Sequence, residues 1–547
     1  MAKARATADT QIAVKFWSRY WSAPGGQIAA GVVRIAIAIS TLLMLARLAS
    51  PSLDSPEDVA AGAYHPVGVL MLFPSPPPAI VIVLASIVAH VGAVALLLGL
   101  CTRLACALTA ASAMLVASQA MSFQPHWSHG LNVVLLALLA FLGARGGDAL
   151  GLDALIARWR KKPLPAANYQ WSLRLVQIAV GLMFLSACVT KLVFGGLHWA
   201  LSDNLRHQLL IHYDLIGDTV HPPIVDWLLA SSWRYEAAAV LSLISQAMPL
   251  AAILFVRRPW IRALAGLCFV MEIVALRTLM RLGNPAWIPL AAVFIDWDRL
   301  WRAIRRRPAP AADEPAPPLP RAAAWYVAIF VVFDLVVSFA PGLDQRLRSF
   351  PFSRFPMFAS VRAKRPYGEH QSYEVVAGRV EVIADHPVPA DVQAEVDRNY
   401  VYRTLYTILR SDALRARCEI ARTELRARYP ELEIRGVRVY STAYLAPAYP
   451  APASFERRDL GVLGELRDDV WVDHADALPR DATSFSPPAG ASVTVYRDGL
   501  PPADPAAPGP IALPAGASAI DIVAPLPGAD GVSRPFVIAR RLGASAG

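Results

Sequence analysis

The sequence predicts a polytopic α-helical membrane protein with a C-terminal extracytoplasmic α+β soluble domain. Of its 547 residues, 55% are hydrophobic and only 17% are charged. Apolar runs such as 79–100 are long enough to cross roughly 30 Å of hydrocarbon as helices. After residue 341 these runs give way to alternating and amphipathic patterns, which are typical of a soluble domain. The lipid bilayer is therefore the first predicted partner.

Eight or nine apolar segments are expected in the transmembrane domain, 28–341, which follows a cytoplasmic N-terminus, 1–27. The first segment has no convincing small-residue cleavage site after it and is interpreted as a retained span. The eighth is too short to cross unless it is tilted or re-entrant. The segments lie at 28–49, 79–100, 103–122, 129–144, 171–193, 236–256, 260–280, 286–298 and 322–341.

Basic residues predict the orientation of these segments. The net charge of +10 is divided into short clusters between apolar runs, which the positive-inside bias explains more simply than nucleic-acid binding does. If nine segments cross, all the clusters fall on the cytoplasmic side, together with a proline-rich linker at 305–321. Richness in Ala, Arg, Pro and Gly indicates a bacterial chain, and hence an inner membrane. The clusters are Lys3, Arg5, Lys15 and Arg19; Arg158, Arg160, Lys161 and Lys162; Arg257, Arg258 and Arg262; and Arg305, Arg306 and Arg307.

The tail, 342–547, is predicted to fold outside the cytoplasm as an α+β domain with a core of its own. Strands are expected at 372–384 and 432–445, with a helix over 389–428 between them. Only Cys418 of the five cysteines lies in the tail, which excludes a disulfide framework there, and no His or Cys spacing predicts a metal site. The apolar set of the helix is Val392, Val396, Tyr400, Leu405 and Leu409. Later strand candidates lie at 469–475, 491–499, 518–525 and 534–541.

Polar side chains in the fifth segment share one helical face, because they recur at spacings of three, four, seven and three residues. Ionisable groups in spans are costly, so they are functional candidates by default. The alternative interpretation is that Lys191 snorkels to the outer interface and Arg174 to the inner one. The face comprises Arg174, Gln177, Gly181, Cys188 and Lys191.

Two further groups of polar residues fall at the outer ends of segments. His129 opens the fourth segment, with Asn132 on the same face, and a shared cavity with Lys191 is predicted; a capping or interfacial histidine is the alternative. In the seventh segment Arg281 and Asn284 share a face that reaches the outer end.

A carboxylate also lies inside the seventh segment. Glu272 is at mid-membrane depth and is expected to pair with Arg34, His90 or another arginine. Structural pairing is the favoured role for this residue.

Four pieces of the sequence resemble, in order, the vitamin K-dependent gamma-glutamyl carboxylases and their bacterial relatives, the horizontally transferred transmembrane (HTTM) domain proteins. They are 125–155, 177–205, 280–296 and 350–362. The strand, long helix and second strand of the tail also look like the segment that follows the last span in that family. The resemblance covers roughly 25–445 and leaves about the last hundred residues unplaced.

The resemblance implies roles for two residues. Lys191, in the context Val-Thr-Lys-Leu, matches the lysine that deprotonates vitamin K hydroquinone in the carboxylases. Oxygen addition then creates a stronger base, which removes a γ-proton from a glutamate before CO₂ adds. Desolvation favours the neutral amine that such a base requires. His129 matches the histidine that stabilises the reacting species, and the family's neighbouring lysine is Thr190 here.

The expected function is therefore quinol-, O₂- and CO₂-dependent modification of a glutamate-type substrate in an outward-facing protein or peptide, as lyase or ligase chemistry. The reduced quinone would be vitamin K hydroquinone or menaquinol, with no metal. A non-enzymatic membrane module that binds a partner protein or a quinone is the alternative. A transporter ranks last, since no inverted repeat with paired broken helices is seen. The candidate substrate- or quinone-binding residues are Asn132, Gln177, Trp199, Arg281 and Asn284.

The predicted topology is testable with reporter fusions. An odd number of crossings places the tail outside the cytoplasm, so a C-terminal alkaline phosphatase fusion should be active. The same fusion placed after residue 162, in a basic loop, serves as the inactive control. An inactive tail fusion together with a fluorescent cytoplasmic reporter at the C-terminus would reverse the topology.

Overall fold

The computed structural model describes residues 20–22, 26–48, 64, 66–122, 129–162, 164, 167–215, 221–282, 284–306, 318–340, 342–355, 371–393, 396, 411–447, 456–478, 482–488, 492–497, 510–513 and 519–542. Within these ranges seven helices are long and apolar enough to cross a membrane. This confirms a helical membrane protein, while the number of crossings and their orientation stay predictions. The N-terminal residues 1–19 and most of the linker, 307–317, lie outside the described residues.

The helices before the tail are α1 (Gln27–Leu48), α2 (Ala79–Leu98), α3 (Thr102–Ser122), α4 (Asn132–Ala140), α5 (Leu152–Trp159), α6 (Gln170–Gly195), α7 (Asn204–Leu215), α8 (Pro223–Leu229), α9 (Ser232–Leu254), α10 (Pro259–Met280), α11 (Trp297–Arg305), α12 (Arg321–Phe339) and α13 (Leu343–Leu347). Short 3-10 helices lie at Gly68–Leu72, Gly146–Asp148, Gly196–Trp199 and Pro285–Phe294. The seven long helices are α1, α2, α3, α6, α9, α10 and α12.

Two predicted spans, 129–144 and 286–298, form only short helices, as was expected for 286–298 but not for 129–144. Helix α4 has 9 residues and the 3-10 helix Pro285–Phe294 has 10, which correspond to about 14 Å and about 20 Å. The helical part of 129–144 ends before Gly143, which adopts a positive φ of 79°. In the 3-10 helix Pro285–Phe294, prolines at the first and fifth positions remove backbone donors and hold the segment in 3-10 geometry.

Both short segments begin at the same end of the helical bundle, which we call the outer end. The side chains of Asn284 and Trp287 donate hydrogen bonds to the carbonyl oxygen of Gly130, the Trp287 bond being 2.8 Å long. The turn before α4 and the start of the 3-10 helix are thereby joined.

Both segments also finish at the opposite end, which we call the basic end. Asp298, just after the 3-10 helix, accepts from the backbone N–H of Ala29 at 3.0 Å. Gln27 donates to the carbonyl oxygen of Asp148, which follows α4, at 2.8 Å. The two segments therefore pass from one end of the bundle to the other. Helix α4 can be short because nearly all of its residues are buried by protein, and irregular backbone is tolerated where lipid does not reach it.

The tail contains β1 (Gln371–Ala384), α14 (Ser411–Arg428), a 3-10 turn at Pro430–Leu432, β2 (Ile434–Pro447), β3 (Glu456–Arg467), β4 (Val470–Val472), β5 (Asp476–Ala477), β6 (Ser484–Phe485), β7 (Thr494–Arg497), β8 (Ile511–Ala512), β9 (Ala519–Pro527) and β10 (Ser533–Leu542). The main sheet has the order β1-β2-β3-β10-β9-β7, with β4 on β3 and β5 on β10, while β6 and β8 form a separate pair. Pairing is antiparallel except between β10 and the strands β3 and β5, which run parallel to it.

This arrangement confirms the α+β prediction. Helix α14 packs Leu414, Cys418 and Leu425 against Val437 and Val439 of β2. Strand β3 was not anticipated, because charges and glycines interrupt the alternation of its sequence, ERRDLGVLGELR. Of the predicted helix 389–428, positions 394–395 and 397–410 lie outside the described residues, and with them Tyr400, Leu405 and Leu409. Val392 and Val396 are buried.

An ion pair between β9 and β10 is enclosed within the sheet. Asp521 on β9 lies opposite Arg540 on β10, and Oδ1 of Asp521 is 2.8 Å from Nε of Arg540. Ser441 on β2 donates its hydroxyl to the same carboxylate. The side chains are 0% and 4% exposed, so neither charge has water as an alternative partner.

Asp521→Ala should destabilise the tail sheet by about 3–5 kcal/mol, because Arg540 would stay buried without its counter-charge. Hydrogen–deuterium exchange of β9 and β10 in the detergent-solubilised full chain measures the loss. Asp469→Ala is the control, since the Asp469 side chain is fully exposed and 3.5 Å from Arg422; an exposed pair contributes at most about 1 kcal/mol. Equal loss of protection in the two variants would contradict a special role for the enclosed pair.

Candidate functional site

Lys191 lies near the outer end of α6 and is 3% exposed. Its Nζ donates to Oε1 of Gln246 on α9 at 3.1 Å and lies 5.1 Å from the centre of the Trp199 ring. A snorkelling lysine extends its ammonium group into the polar interface, whereas this amine is enclosed by side chains from two helices and a 3-10 turn. The enclosure argues against the snorkelling interpretation.

The amide of Gln246 connects Lys191 to a carboxylate. Nε2 of Gln246 donates to Oε1 of Glu272 on α10 at 2.6 Å, and the hydroxyl of Ser242 donates to the same oxygen at 2.8 Å. All three members of the Lys191–Gln246–Glu272 chain are at most 5% exposed. A base, an amide and an acid from three helices thus form one hydrogen-bonded chain at the outer half of the bundle.

The expectation that Glu272 pairs with Arg34, His90 or another arginine was wrong. Arg34 donates to the backbone carbonyl oxygens of Leu96 and Leu150 at 3.0 and 2.6 Å. His90 bonds through Nδ1 to the carbonyl of the preceding turn at 2.8 Å. Uncharged side chains on the neighbouring helix satisfy Glu272 instead.

Local sequence explains why α6 and α9 approach closely enough for this chain to form. A Cβ at Gly181 would lie 2.7 Å from Cδ1 of Ile253 and 3.3 Å from Cβ of Pro249, so a larger residue would require these side chains to shift away from α6. Two turns further along α6, Sγ of Cys188 donates to the carbonyl oxygen of Leu243 at 3.5 Å. Lys191 follows at the next turn, beside Gln246.

His129 and Asn132 meet at Ser353, in the segment that follows α13. Nδ2 of Asn132 donates to Oγ of Ser353 at 2.8 Å, and Nδ1 of His129 is 3.3 Å from the same hydroxyl. The imidazole packs edge-on against the Phe355 ring, with centroids 4.8 Å apart. Sequence reasoning did not select Ser353, although it lies inside the 350–362 piece that resembles the carboxylases.

The next residue in that segment reaches the lysine helix. Nε of Arg354 donates to Oγ1 of Thr190 at 3.3 Å, and its guanidinium lies 4.8 Å from the centre of the Phe194 ring. Thr190, which stands where the carboxylases that the sequence resembles have a lysine, is thus a contact point between the His129 group and α6. The outward-opening cavity predicted to join Lys191 and His129 stays a prediction.

Gln177 does not lie with the other candidates. It is 14 residues before Lys191 in the same helix, which corresponds to about 21 Å. Its amide accepts from Arg174 at 2.8 Å and donates to the carbonyl oxygen of Val293 at 2.7 Å. Gln177 therefore ties α6 to the 3-10 helix Pro285–Phe294 near the basic end.

The two remaining candidates lie at the outer end of α10. Asn284 caps the 3-10 helix by accepting from the N–H of Ala286 at 3.2 Å and donates to Gly130, beside His129. Arg281 is exposed and ends α10 with a positive φ of 50°. The structure thus places Trp199 beside Lys191. It places Asn132 and Asn284 beside the turn that carries His129.

Gln246→Leu should lower the thermal stability of the purified protein, because Lys191 and Glu272 would each lose a buried partner at a cost of about 1–3 kcal/mol per group. Gln119→Leu is the matched control. Gln119 is 2% exposed, and neither of its amide atoms has a hydrogen-bond partner among the described residues, so that change should be neutral or stabilising. A melting temperature of Gln246→Leu at or above the wild-type value would contradict the assigned chain.

No protein-family model, curated protein or solved structure matches this chain. The likeness to the carboxylases therefore depends on the sequence pieces and on the residues that they place at the outer end. Among the described residues, no group of three or more His, Cys, Asp or Glu side chains is arranged to hold a metal ion.

Proposed function

We propose that this chain is a carboxylase-like integral membrane protein in which Lys191 acts as a base toward a reduced quinone. The reaction would modify a glutamate-type substrate on the outward side and would require O₂ and CO₂. The observation that carries the proposal is the enclosure of the Lys191 amine, whose Nζ donates to Gln246 and lies against Trp199.

An enclosed amine suits general-base work for a physical reason. Removal of water disfavours the charged form of a lysine, so the neutral form that accepts a proton becomes accessible. The carbonyl oxygen of Gln246 accepts one amine hydrogen and so fixes the position of Nζ. Glu272, one amide further away, supplies a negative charge in the chain without a direct ion pair.

The surroundings of Lys191 fit a lipid-soluble quinone. Val193, Phe194 and Leu197 are 67%, 47% and 69% exposed, so the outer end of α6 and the 3-10 turn after it present apolar surface where such a molecule could arrive from the bilayer. When bound, a reduced quinone supplies the acidic hydroxyl and the reducing equivalents. Lys191 would accept the proton from that hydroxyl, and His129 would position the ring oxygen by hydrogen bonding.

A second candidate function, a non-enzymatic module that binds a partner, is favoured by a cavity in the tail. It has a volume of about 470 Å³ and is lined by Arg379, Arg438, Arg467 and Arg534 together with Glu381 and Asp530 among others. The hydrogen bond from Arg534 holds the pKa of the Asp530 carboxyl well below its usual range. A charged hollow of this size suits a polar ligand, whether or not Lys191 is catalytic.

Lys191→Arg separates a base from an anchor. Arginine keeps charge and length but does not release its proton, so a base predicts loss of activity with normal insertion. Lys191→Ala should recover some activity when a small external amine is supplied. The readouts are quinol oxidation and mass spectrometry of outward-facing proteins for CO₂ addition.

Lys161→Arg is the control for this experiment, since Lys161 is exposed near the basic end and should tolerate the exchange. Full activity of Lys191→Arg in the same assay would remove the base assignment. The partner-binding module would then be the better account of the chain.

A further inference from the structure

Helices α5 and α11 share a residue pattern and a position. Each follows one of the two short segments that pass through the bundle. Each carries Asp as its second residue, Leu as its fourth and a large apolar residue as its eighth, followed by Arg. The sequences are LDALIARW, with Arg160 next, and WDRLWRAIR.

The aspartate at the second position of each short helix binds the first turn of a long helix. Asp153 accepts from the backbone N–H groups of Cys101 and Thr102 at 2.8 and 2.9 Å, at the start of α3. Asp298 accepts in the same way at the start of α1, from Ala29 at 3.0 Å. A carboxylate is favoured at a helix N-terminus, so both short helices are fixed at the basic end by the same interaction.

The apolar face of both helices is left uncovered by the described residues. Neither helix contains a buried residue. Trp159 and Leu155 are 80% and 58% exposed in α5, and Ile304 and Leu300 are 66% and 44% exposed in α11. These positions recur at helical spacing, which gives each helix one apolar stripe. At the rim of an apolar bundle, such a stripe is suited to the boundary between lipid headgroups and acyl chains.

Positive charge accompanies the stripe in both helices. Arg158, Arg160 and Lys161 are exposed beside Trp159, and Arg299 and Arg305 are exposed around Ile304, with Arg302 half-buried. The two acidic residues of the helices, Asp153 and Asp298, are engaged with backbone N–H groups and do not neutralise these side chains. The stripe and the charge together match a negatively charged lipid surface.

We propose that α5 and α11 form one binding surface for acidic phospholipids in the leaflet that contacts the basic end. The apolar stripes enter the headgroup boundary, and the arginine and lysine side chains bind lipid phosphates, for which the arginine fork is well suited. The two helices flank the start of α1, since Gln27 bonds to Asp148 just before α5 and Ala29 bonds to Asp298 of α11. This inference requires the bilayer but does not depend on catalysis by Lys191.

The test uses the full chain in nanodiscs of phosphatidylcholine with phosphatidylglycerol. Electron paramagnetic resonance of spin-labelled lipids measures the association constant of phosphatidylglycerol relative to phosphatidylcholine. Wild-type protein should prefer phosphatidylglycerol. The ratio of the two association constants should fall by about half when three of the six basic side chains are lost. It should fall to near one when all six are lost. The variants are Arg158/Arg160/Lys161→Gln, Arg299/Arg302/Arg305→Gln and their combination.

The control variant is Arg277/Arg346/Arg348→Gln, which removes three exposed charges at the outer end and should keep the preference. High salt tests the wild-type chain without any substitution, because about 1 M NaCl shortens the Debye length to about 3 Å and should abolish the preference. The proposal is overturned if wild type shows no preference, if the preference survives high salt, or if the control variant loses as much as the basic-end variants.

Discussion

Polar groups inside a membrane bundle must find partners in the protein, because the hydrocarbon region offers no water. The chain from Lys191 through Gln246 to Glu272 meets this requirement with one amide that accepts from the amine and donates to the carboxylate. Its members come from α6, α9 and α10, so satisfying the two ionisable groups also fixes the register of three long helices. The absence of a side chain at Gly181 favours the close approach of α6 and α9. Stability at the outer end and the base role proposed for Lys191 therefore depend on the same hydrogen bonds.

The same constraint accounts for the irregular centre of the bundle. Helix α4 stops after 9 residues, and the segment Pro285–Phe294 is a 3-10 helix that contains two prolines. Such backbone is unsuited to contact with lipid, but it is tolerated where protein encloses it. Because Asn284 and Trp287 donate to the carbonyl oxygen of Gly130, the turn that carries His129 is held beside the start of the 3-10 helix Pro285–Phe294. The irregular elements thus position the polar residues that the long helices do not supply.

The two ends of the bundle have different chemistry. At the basic end, Asp153 and Asp298 bind the first turns of long helices, and the exposed charge is mainly positive. At the outer end, Arg277, Arg346 and Arg348 are exposed, but the side chains of Lys191, Asn132 and Asn284 are buried, and Lys191 lies beside exposed apolar residues of α6. In the tail, Asp521 and Arg540 are enclosed within the sheet itself, so its buried charge serves cohesion. The contacts of the basic end, the buried chain at the outer end and the folding of the tail sheet therefore involve separate sets of charges.

Hydrophobicity and periodicity by themselves determined the long helices and most strands, because these signals are local. The predicted spans 79–100 and 103–122 match α2 and α3 within two residues, and the strand at 372–384 matches β1 within one. Only the tertiary structure decided that Glu272 is partnered through Gln246, 26 residues away, and that His129 meets Ser353, 224 residues away. Such contacts follow from how helices pack, which no local pattern encodes. The shortness of α4 also follows from helix packing. A segment enclosed by protein does not need the full helical length that a lipid-exposed span requires.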